Sequence, residues 1–350
     1  MKTKIVYVVA SLDDDIYMEQ AIVSAWSVRY YNPDCQIEMV CDQDTFKTLD
    51  SGIRSQNKSL FNKIHVREFK PEQGMMERSR WMKTTLREII EGDFLYLDSD
   101  TVVCADLSYI DEFDFDLGMV RDGNCEFNKC LHYDWAVSSM KKIYDMDVSK
   151  EFFYFNSGVA FVRDSAVTRK FYRRWNENWA HSLQKFGIMK DQQPLMKTNM
   201  DMDYVITELS GNLNCIVTTS IKYLHTAHVV HFVNNVQGRC EHLSPFFKEI
   251  FLQIKQNGIT KDIQEAILNC KTSFTSPSMP VTREAAVLWR NNQSDLLGKK
   301  IRTSNIYLLM YSLWFRLPRF MQVIDSFVGV LKKCVIGQLF HGHIAKRLKK

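Results

Sequence analysis

Phe94-Leu95-Tyr96-Leu97-Asp98-Ser99-Asp100-Thr101-Val102-Val103 is an apolar run that stops at two carboxylates one residue apart. Four apolar residues bounded upstream by Gly92-Asp93 read as the central strand of a covered parallel sheet, and ligands bind at the carboxyl ends of such strands. Asp98 and Asp100 then sit at that end, with Ser99 between them. Two short, hard oxygen ligands suit Mn²⁺ or Mg²⁺, which keep open positions for phosphate oxygens. The alternative is a helix cap or a turn after a strand. Asp-x-Asp begins six times in this chain, at Asp13, Asp42, Asp98, Asp114, Asp145 and Asp201, so context must choose among them. The pair at Asp98 follows an uninterrupted apolar strand and precedes β-branched residues that keep the chain extended. Asp114 and Asp116 instead interleave with Phe113, Phe115 and Leu117, as in a strand with a solvated edge.

Working outward, residues 4–11 read as a first strand and 17–31 as a helix ending before Asn32-Pro33. A strand over 36–41 follows, then a helix over 77–90 with Trp81, Met82, Thr85, Leu86, Ile89 and Ile90 on one face. A strand over 116–121, a helix over 133–144, a strand over 158–162 and a long helix over 166–186 continue the rhythm. This alternation predicts an α/β fold with an open, mainly parallel, Rossmann-like central sheet and helices on both faces. The pattern changes beyond Phe246, so the expected division is a catalytic-type domain over 1–245, a helical extension and linker over 246–298, and a basic tail over 299–350.

The 350 residues are 45% apolar and 25% charged, ordinary for a globular protein. The net charge of +4 hides an asymmetry: from Lys299 onward eleven Lys or Arg face one acid, a net of +10, leaving 34 basic against 40 acidic residues, −6, before it. The tail interleaves these cations with apolar and aromatic helical segments, which suits an anionic membrane surface better than nucleic acid. A helical subdomain packed on the body is the alternative. Nine cysteines without Cys-x-x-Cys spacing point to a reducing compartment. Neither a leader-like amino terminus nor an apolar run of about 18 residues is visible. The expectation is therefore a cytoplasmic protein, peripheral on the inner face of a membrane.

Three further segments carry chemistry. In Tyr154-Phe155-Asn156-Ser157-Gly158, a small polar pair and a Gly precede an apolar strand, so an amide can face a cleft where the backbone turns closely. In Met189-Lys190-Asp191-Gln192-Gln193-Pro194, an acid and an amide open a short helix, with an N-cap as the alternative. In Ala227-His228-Val229-Val230-His231-Phe232, strand alternation puts the two histidines on opposite faces, and His231 is the candidate third metal ligand.

With Leu95-Tyr96-Leu97-Asp98-Ser99-Asp100, Phe155-Asn156-Ser157-Gly158, Asp191-Gln192 and His231-Phe232 in that order, residues 3–240 resemble the glycosyltransferases of the GT-A fold, most closely glycosyltransferase family 8. The resemblance implies a UDP-sugar donor, a glycan or lipid-linked acceptor, and Mn²⁺ (or Mg²⁺) held by Asp98, Asp100 and His231. It places Ala10, Ser11, an acid of the 13–15 loop such as Asp13, and Tyr17 against the nucleoside, with Ser99 in the donor-binding set. Asp191 and Gln192 would face the sugar with Asn156 nearby, in a reaction that retains anomeric configuration. An inverting reaction would instead make Asp191 a general base. Arg80 and Lys83 are candidate donors to phosphate or sugar, against a solvated helix face. The family's Gly and Lys-Pro-Trp after the metal histidine are replaced by Val233-Asn234-Asn235-Val236-Gln237-Gly238-Arg239, so Arg239 is the candidate for the missing lysine. Two other functions compete. A sugar nucleotidyltransferase wants a Gly-rich basic loop where Asp13-Asp14-Asp15 stands, and a membrane-associated scaffold leaves the four ordered segments unexplained.

Overall fold

The computed structural model describes residues 1–274 apart from 131, 220–221 and 234–244, together with positions 309, 313, 316, 317, 319–321, 323 and 324; at 245–248 only the backbone is described. The chain divides into two compact units, Met1–Asn291 and Asn292–Lys350. Arg239, the linker at 275–280 and nearly all of the basic tail lie outside the described residues. In the second unit, backbone bonds join Leu317 N to Leu313 O at 2.8 Å and Met321 N to Leu317 O at 3.0 Å, as in a helix. Among the described residues, no helix is long and apolar enough to cross a membrane.

The strands of the first unit are β1 (Lys4–Val9), β2 (Ile37–Asp42), β3 (Lys63–Arg67), β4 (Phe94–Leu97), β5 (Thr101–Val103), β6 (Leu117–Arg121), β7 (Phe155–Val162), β8 (Thr207–Glu208), β9 (Cys215–Ile216) and β10 (Val229–His231). Its helices are α1 (Tyr17–Tyr31), α2 (Gln43–Thr48), α3 (Gly52–Gln56), α4 (Met75–Thr84), α5 (Leu86–Ile89), α6 (Tyr133–Tyr144), α7 (Ala166–Phe186), α8 (Gln192–Asp201), α9 (Pro245–Asn257), α10 (Lys261–Leu268) and α11 (Cys270–Ser273). Seven strands form one sheet in the order β3-β2-β1-β4-β7-β6-β8, and β5-β10-β9 form a second.

The α/β expectation is met. β1, β2, β3 and β4 run parallel, β8 runs parallel to β6, and β7 alone runs antiparallel to both of its neighbours. Alternation along β1 sends Val6 and Val8 into a core with Met82 and Leu86 of α4 and α5 and with Phe171 and Trp175 of α7. Tyr7 points to the other face, where its hydroxyl meets Ser24 of α1 at 2.8 Å. Helices thus cover both faces, which is why β1 and β2 are buried almost throughout.

The expected helix over 77–90 is two helices that meet at Thr85. The hydroxyls of Thr84 and Thr85 bond back to the carbonyls of Arg80 and Trp81, at 2.9 and 2.8 Å, and back-bonding of this kind bends a helix. The solvated strand expected around Asp114 and Asp116 is not formed. Residues Ser108–Glu112 make a short 3₁₀ turn, and the strand starts at Leu117 once the aromatic rings of Phe113 and Phe115 have packed on Phe161. Helix α7 has the bounds its pattern predicts, with a capping box between Ser165 and Thr168 and left-handed Gly187 after its last turn.

Candidate functional site

β4 ends at Leu97, and the next three residues carry the chain from the first sheet to the second. Asp98 is pinned by its own N–H donating to Gly158 O on β7 at 2.7 Å, and Asp100 by its carbonyl accepting from Phe232 N at 3.0 Å. β5 then pairs antiparallel with β10, setting Thr101 opposite His231. Two carboxylates and an imidazole converge as a result: Asp98, Asp100 and His231 each present a ligand atom, all within 4.8 Å of one another. His231 Nε2 lies 3.2 Å from Asp100 Oδ1 and 4.0 Å from Asp98 Oδ2. His228, on the opposite strand face, turns away and places Nδ1 3.0 Å from the carbonyl of Asp106.

Gly158 is needed for this closeness, because a Cβ there would lie 2.4 Å from His231 Cε1 and 2.8 Å from Asp98 Oδ2. Burial lowers the His231 pKa, but Asp100 and Asp98 more than offset it and hold the imidazole above its ordinary value. Two hard carboxylates and one imidazole, with Nε2 turned inward, fit a divalent cation such as Mn²⁺ or Mg²⁺.

Beside this cluster stands a second carboxylate centre. Asp191 occupies the N-cap position of α8 but makes no capping bond. Its Oδ2 instead accepts from Ser157 Oγ at 2.8 Å, with Lys83 Nζ at 3.5 Å, while Arg80 Nε lies 3.3 Å from Oδ1. Burial would raise its pKa, yet Arg80, Lys83 and the Ser157 hydroxyl together hold it well below the usual carboxylate range. Trp175 Nε1 donates to Asp191 O and Trp179 Nε1 to Met189 O, both at 3.0 Å, so α7 fixes the loop that carries this acid.

A solvated face for Lys83 is excluded, since it is 2% exposed. It joins the two centres, with Nζ donating to Asp98 Oδ1 at 3.0 Å, an oxygen that also accepts from the Tyr96 hydroxyl. Arg80, three residues earlier on α4, shares that helix face.

The loop after β1 is organised by Asp15. Its carboxylate accepts from Ser11 Oγ, from Leu12 N at 2.8 Å and from Tyr17 N at 3.0 Å, while Ser11 Oγ accepts from Met18 N at 3.1 Å. Ala10 and Ser11 are buried at the strand end, and half-buried Tyr17 feels the charges of Asp100 and Arg80. Asp13 behaves differently: its carboxylate is exposed, lies 3.7 Å from Arg54, and borders a cavity of about 610 Å³ whose wall includes none of Asp98, Asp100 and His231. Ser99 is half-buried between the two metal-site acids. Gln192 opens α8, half-buried, whereas Gln193 is fully buried with its amide nitrogen on the Tyr154 hydroxyl at 3.0 Å.

Asn156 stands behind the cluster. Its Nδ2 donates to Asp122 Oδ1 at 2.9 Å, and its Oδ1 accepts from Gly158 N at 2.9 Å and Asn214 Nδ2 at 3.0 Å. Asn214 Oδ1 in turn faces His231 Nδ1 at 2.9 Å. Asn214, Asp122 and the Ser157–Asp191 bond escaped the sequence reading. Ser157 lay inside a flagged segment, but nothing in Gly211-Asn212-Leu213-Asn214 marks a partner for a histidine seventeen residues on.

No protein-family model matches the chain, and no curated protein matches it by sequence. Among solved structures, it is similar to mouse xyloside xylosyltransferase 1 in its apo form, at 11% identity and a TM-score of 0.46, covering 67% of this chain and 98% of that one. It is also similar to the bifunctional glycosyltransferase WbbM in its apo form, at 13% and 0.49, covering 76% of this chain and 51% of that one. A third is the galactosyltransferase LgtC in complex with donor and acceptor sugar analogues, at 17% and 0.45, covering 83% and 99%. The chain thus spans about half the length of WbbM.

Proposed function

We propose that this protein is a metal-dependent glycosyltransferase that moves a hexose from a UDP-sugar to a glycan or glycolipid acceptor, with retention, in cell-surface polysaccharide assembly. The observation that carries the reading is the Asp98, Asp100 and His231 cluster beside the ionised, buried Asp191. A divalent cation held by those three residues would neutralise charge gathering on the departing diphosphate. Arg80 and Lys83 supply fixed positive charge at the same place, and both lie against Asp191.

Asp191 is placed to accept hydrogen bonds from sugar hydroxyls and to stabilise positive charge developing on the sugar ring. It is poorly suited to take a proton, because a carboxylate held below its ordinary range is a weak base. This favours retention, in which the leaving phosphate takes the acceptor proton, over inversion with Asp191 as base. Gln192, next in the chain, is assigned to the same sugar. Ala10, Ser11 and Tyr17 are assigned to the nucleoside, with Asp15 shaping their loop. Arg239 is retained as the candidate contact to the diphosphate. The net charge of +10 beyond residue 298 supports placement on the anionic inner face of a membrane.

The test is Mn²⁺-dependent release of UDP from a panel of UDP-sugars by the full-length protein, beside an Asp98→Asn/Asp100→Asn variant. The expected result is slow hydrolysis of one donor by the parent and a loss of about a hundredfold or more in the variant. If the folded parent neither binds nor turns over any nucleotide sugar with Mn²⁺, the reading fails.

A further inference from the structure

We infer that Asp122, acting through Asn156 and Asn214, decides which nitrogen of His231 faces the metal position, so that all three are positioning residues of the metal centre. The inference rests on the metal reading above and adds the device that prepares its imidazole ligand.

The argument is one of hydrogen-bond direction. A carboxylate has only acceptors, so the amide that meets Asp122 Oδ1 must turn its Nδ2 toward it, as Asn156 does at 2.9 Å. That choice leaves Asn156 Oδ1 on the other side, where it can only accept, and it takes Gly158 N–H and Asn214 Nδ2. Asn214 has then committed its nitrogen, and its Oδ1 must face His231 Nδ1 at 2.9 Å. An acceptor at Nδ1 requires the proton there. Nε2 is left to face Asp100 and Asp98, where a cation can displace the proton it shares with Asp100.

Each link is held from a second side. Asp122 N donates to Tyr154 O at 2.7 Å, and the second oxygen of Asp122 accepts from Cys130 Sγ at 3.1 Å. The Cys130 thiol is pushed up by its hydrogen bond with Cys125 and by burial, so it stays a donor. Asn124 Nδ2 holds the Asn214 carbonyl at 3.1 Å. Turning Asn156 over would set its amine against Gly158 N–H and the Asn214 amine, and its oxygen against Asp122. Three attractive contacts would become repulsive together. Asn214 is fully buried, so water cannot substitute for any link next to the histidine.

The test reads the ring nitrogens of His231 by ¹⁵N NMR in the full-length protein saturated with diamagnetic Mg²⁺, with the signal assigned by its loss in His231→Ala. Mn²⁺ affinity is measured in parallel by electron paramagnetic resonance. The parent should carry its proton on Nδ1 alone. Asn214→Ala should mix the two tautomers and weaken Mn²⁺ binding by about 10–100-fold. Asp122→Ala, which touches no metal ligand, should also mix the tautomers and weaken binding, by about 3–10-fold. Either variant decides the matter if the other does not fold. A parent-like tautomer and parent-like Mn²⁺ affinity in either folded variant would overturn the inference. If the parent itself binds no Mn²⁺ and turns over no nucleotide sugar, the proposed function fails, and the relay is judged by whether Asn214→Ala moves the Nδ1–H signal of the metal-free parent.

Discussion

Two Asp-x-Asp pairs stand at strand ends of one mainly parallel sheet, and helix α4 sends cations to both. At the end of β2, Asp42 and Asp44 meet Arg78, whose Nη1 lies 2.9 Å from Asp42 Oδ2 and 2.7 Å from Asp44 Oδ2. Asp42 also caps α2, its Oδ1 accepting from Thr45 N at 2.8 Å. At the end of β4, Asp98 and Asp100 meet His231, and Lys83 takes one oxygen of Asp98 only. Arginine brings donors and a permanent charge, so it closes its pair to any cation. An imidazole can give up its proton and offer a lone pair, so it can join its pair in holding a cation. The motif is therefore shared by a structural clasp and a candidate metal site, and the residue opposite makes the difference.

The clasp breaks most dramatically at its cation. Arg78→Met leaves buried Asp42 without its charged partner, and urea denaturation should record a loss of about 3–5 kcal/mol. Mn²⁺ affinity should stay within about threefold of the parent, because among the described residues no third metal ligand joins the freed pair. A tight second Mn²⁺ site in this variant would contradict the contrast.

The open pair breaks at a glycine. Gly158→Ala adds a methyl group where His231 and Asp98 already stand, and overpacking of this kind costs about 1–3 kcal/mol. Calorimetric titration should show Mn²⁺ binding about ten- to a hundredfold weaker. Parental Mn²⁺ affinity in this variant would mean that the three ligands do not converge as described.

The smallest effect is a pH dependence that belongs to the clasp. The Arg78 hydrogen bond, helped by Lys47, holds the half-exposed Asp44 below its ordinary 3.8. A depressed carboxylate contributes stability that is fully present above 3.8 and fades as pH falls through its lower folded value. Asp44→Asn should therefore be less stable than the parent by about 0.5–1 kcal/mol at neutral pH. Denaturation curves collected down a pH series should converge in acid. A gap that widened in acid would reverse the assigned sign.

Much of the framework was legible because its signals are local. Helices α1, α6 and α7 have the expected bounds, and β4 stops where its apolar run meets Asp98. Strand ends and alternation said that Asp98 and Asp100 stand at a sheet edge and that only one of the two histidines could join them, and the family resemblance named His231, which the structure brings to both acids. Other features were not legible. An alternating pattern of strands and helices says nothing about the direction of β7, whose antiparallel run brings Ser157 to Asp191 and Gly158 to Asp98. Sequence distance likewise hid Asn214, which reaches His231 only because β9 and β10 pair, setting Ile216 beside His231.

Residue order alone marked the main apolar strands and the two acids at the tip of β4, because burial periodicity and chain-breaking residues act within a few positions. Tertiary structure decided which of those acids is clasped by arginine, which is left open, and in which direction the hydrogen bonds behind His231 run. A charge pair or a hydrogen-bond relay takes its energy from groups brought within about 3 Å, and register between distant strands sets that approach.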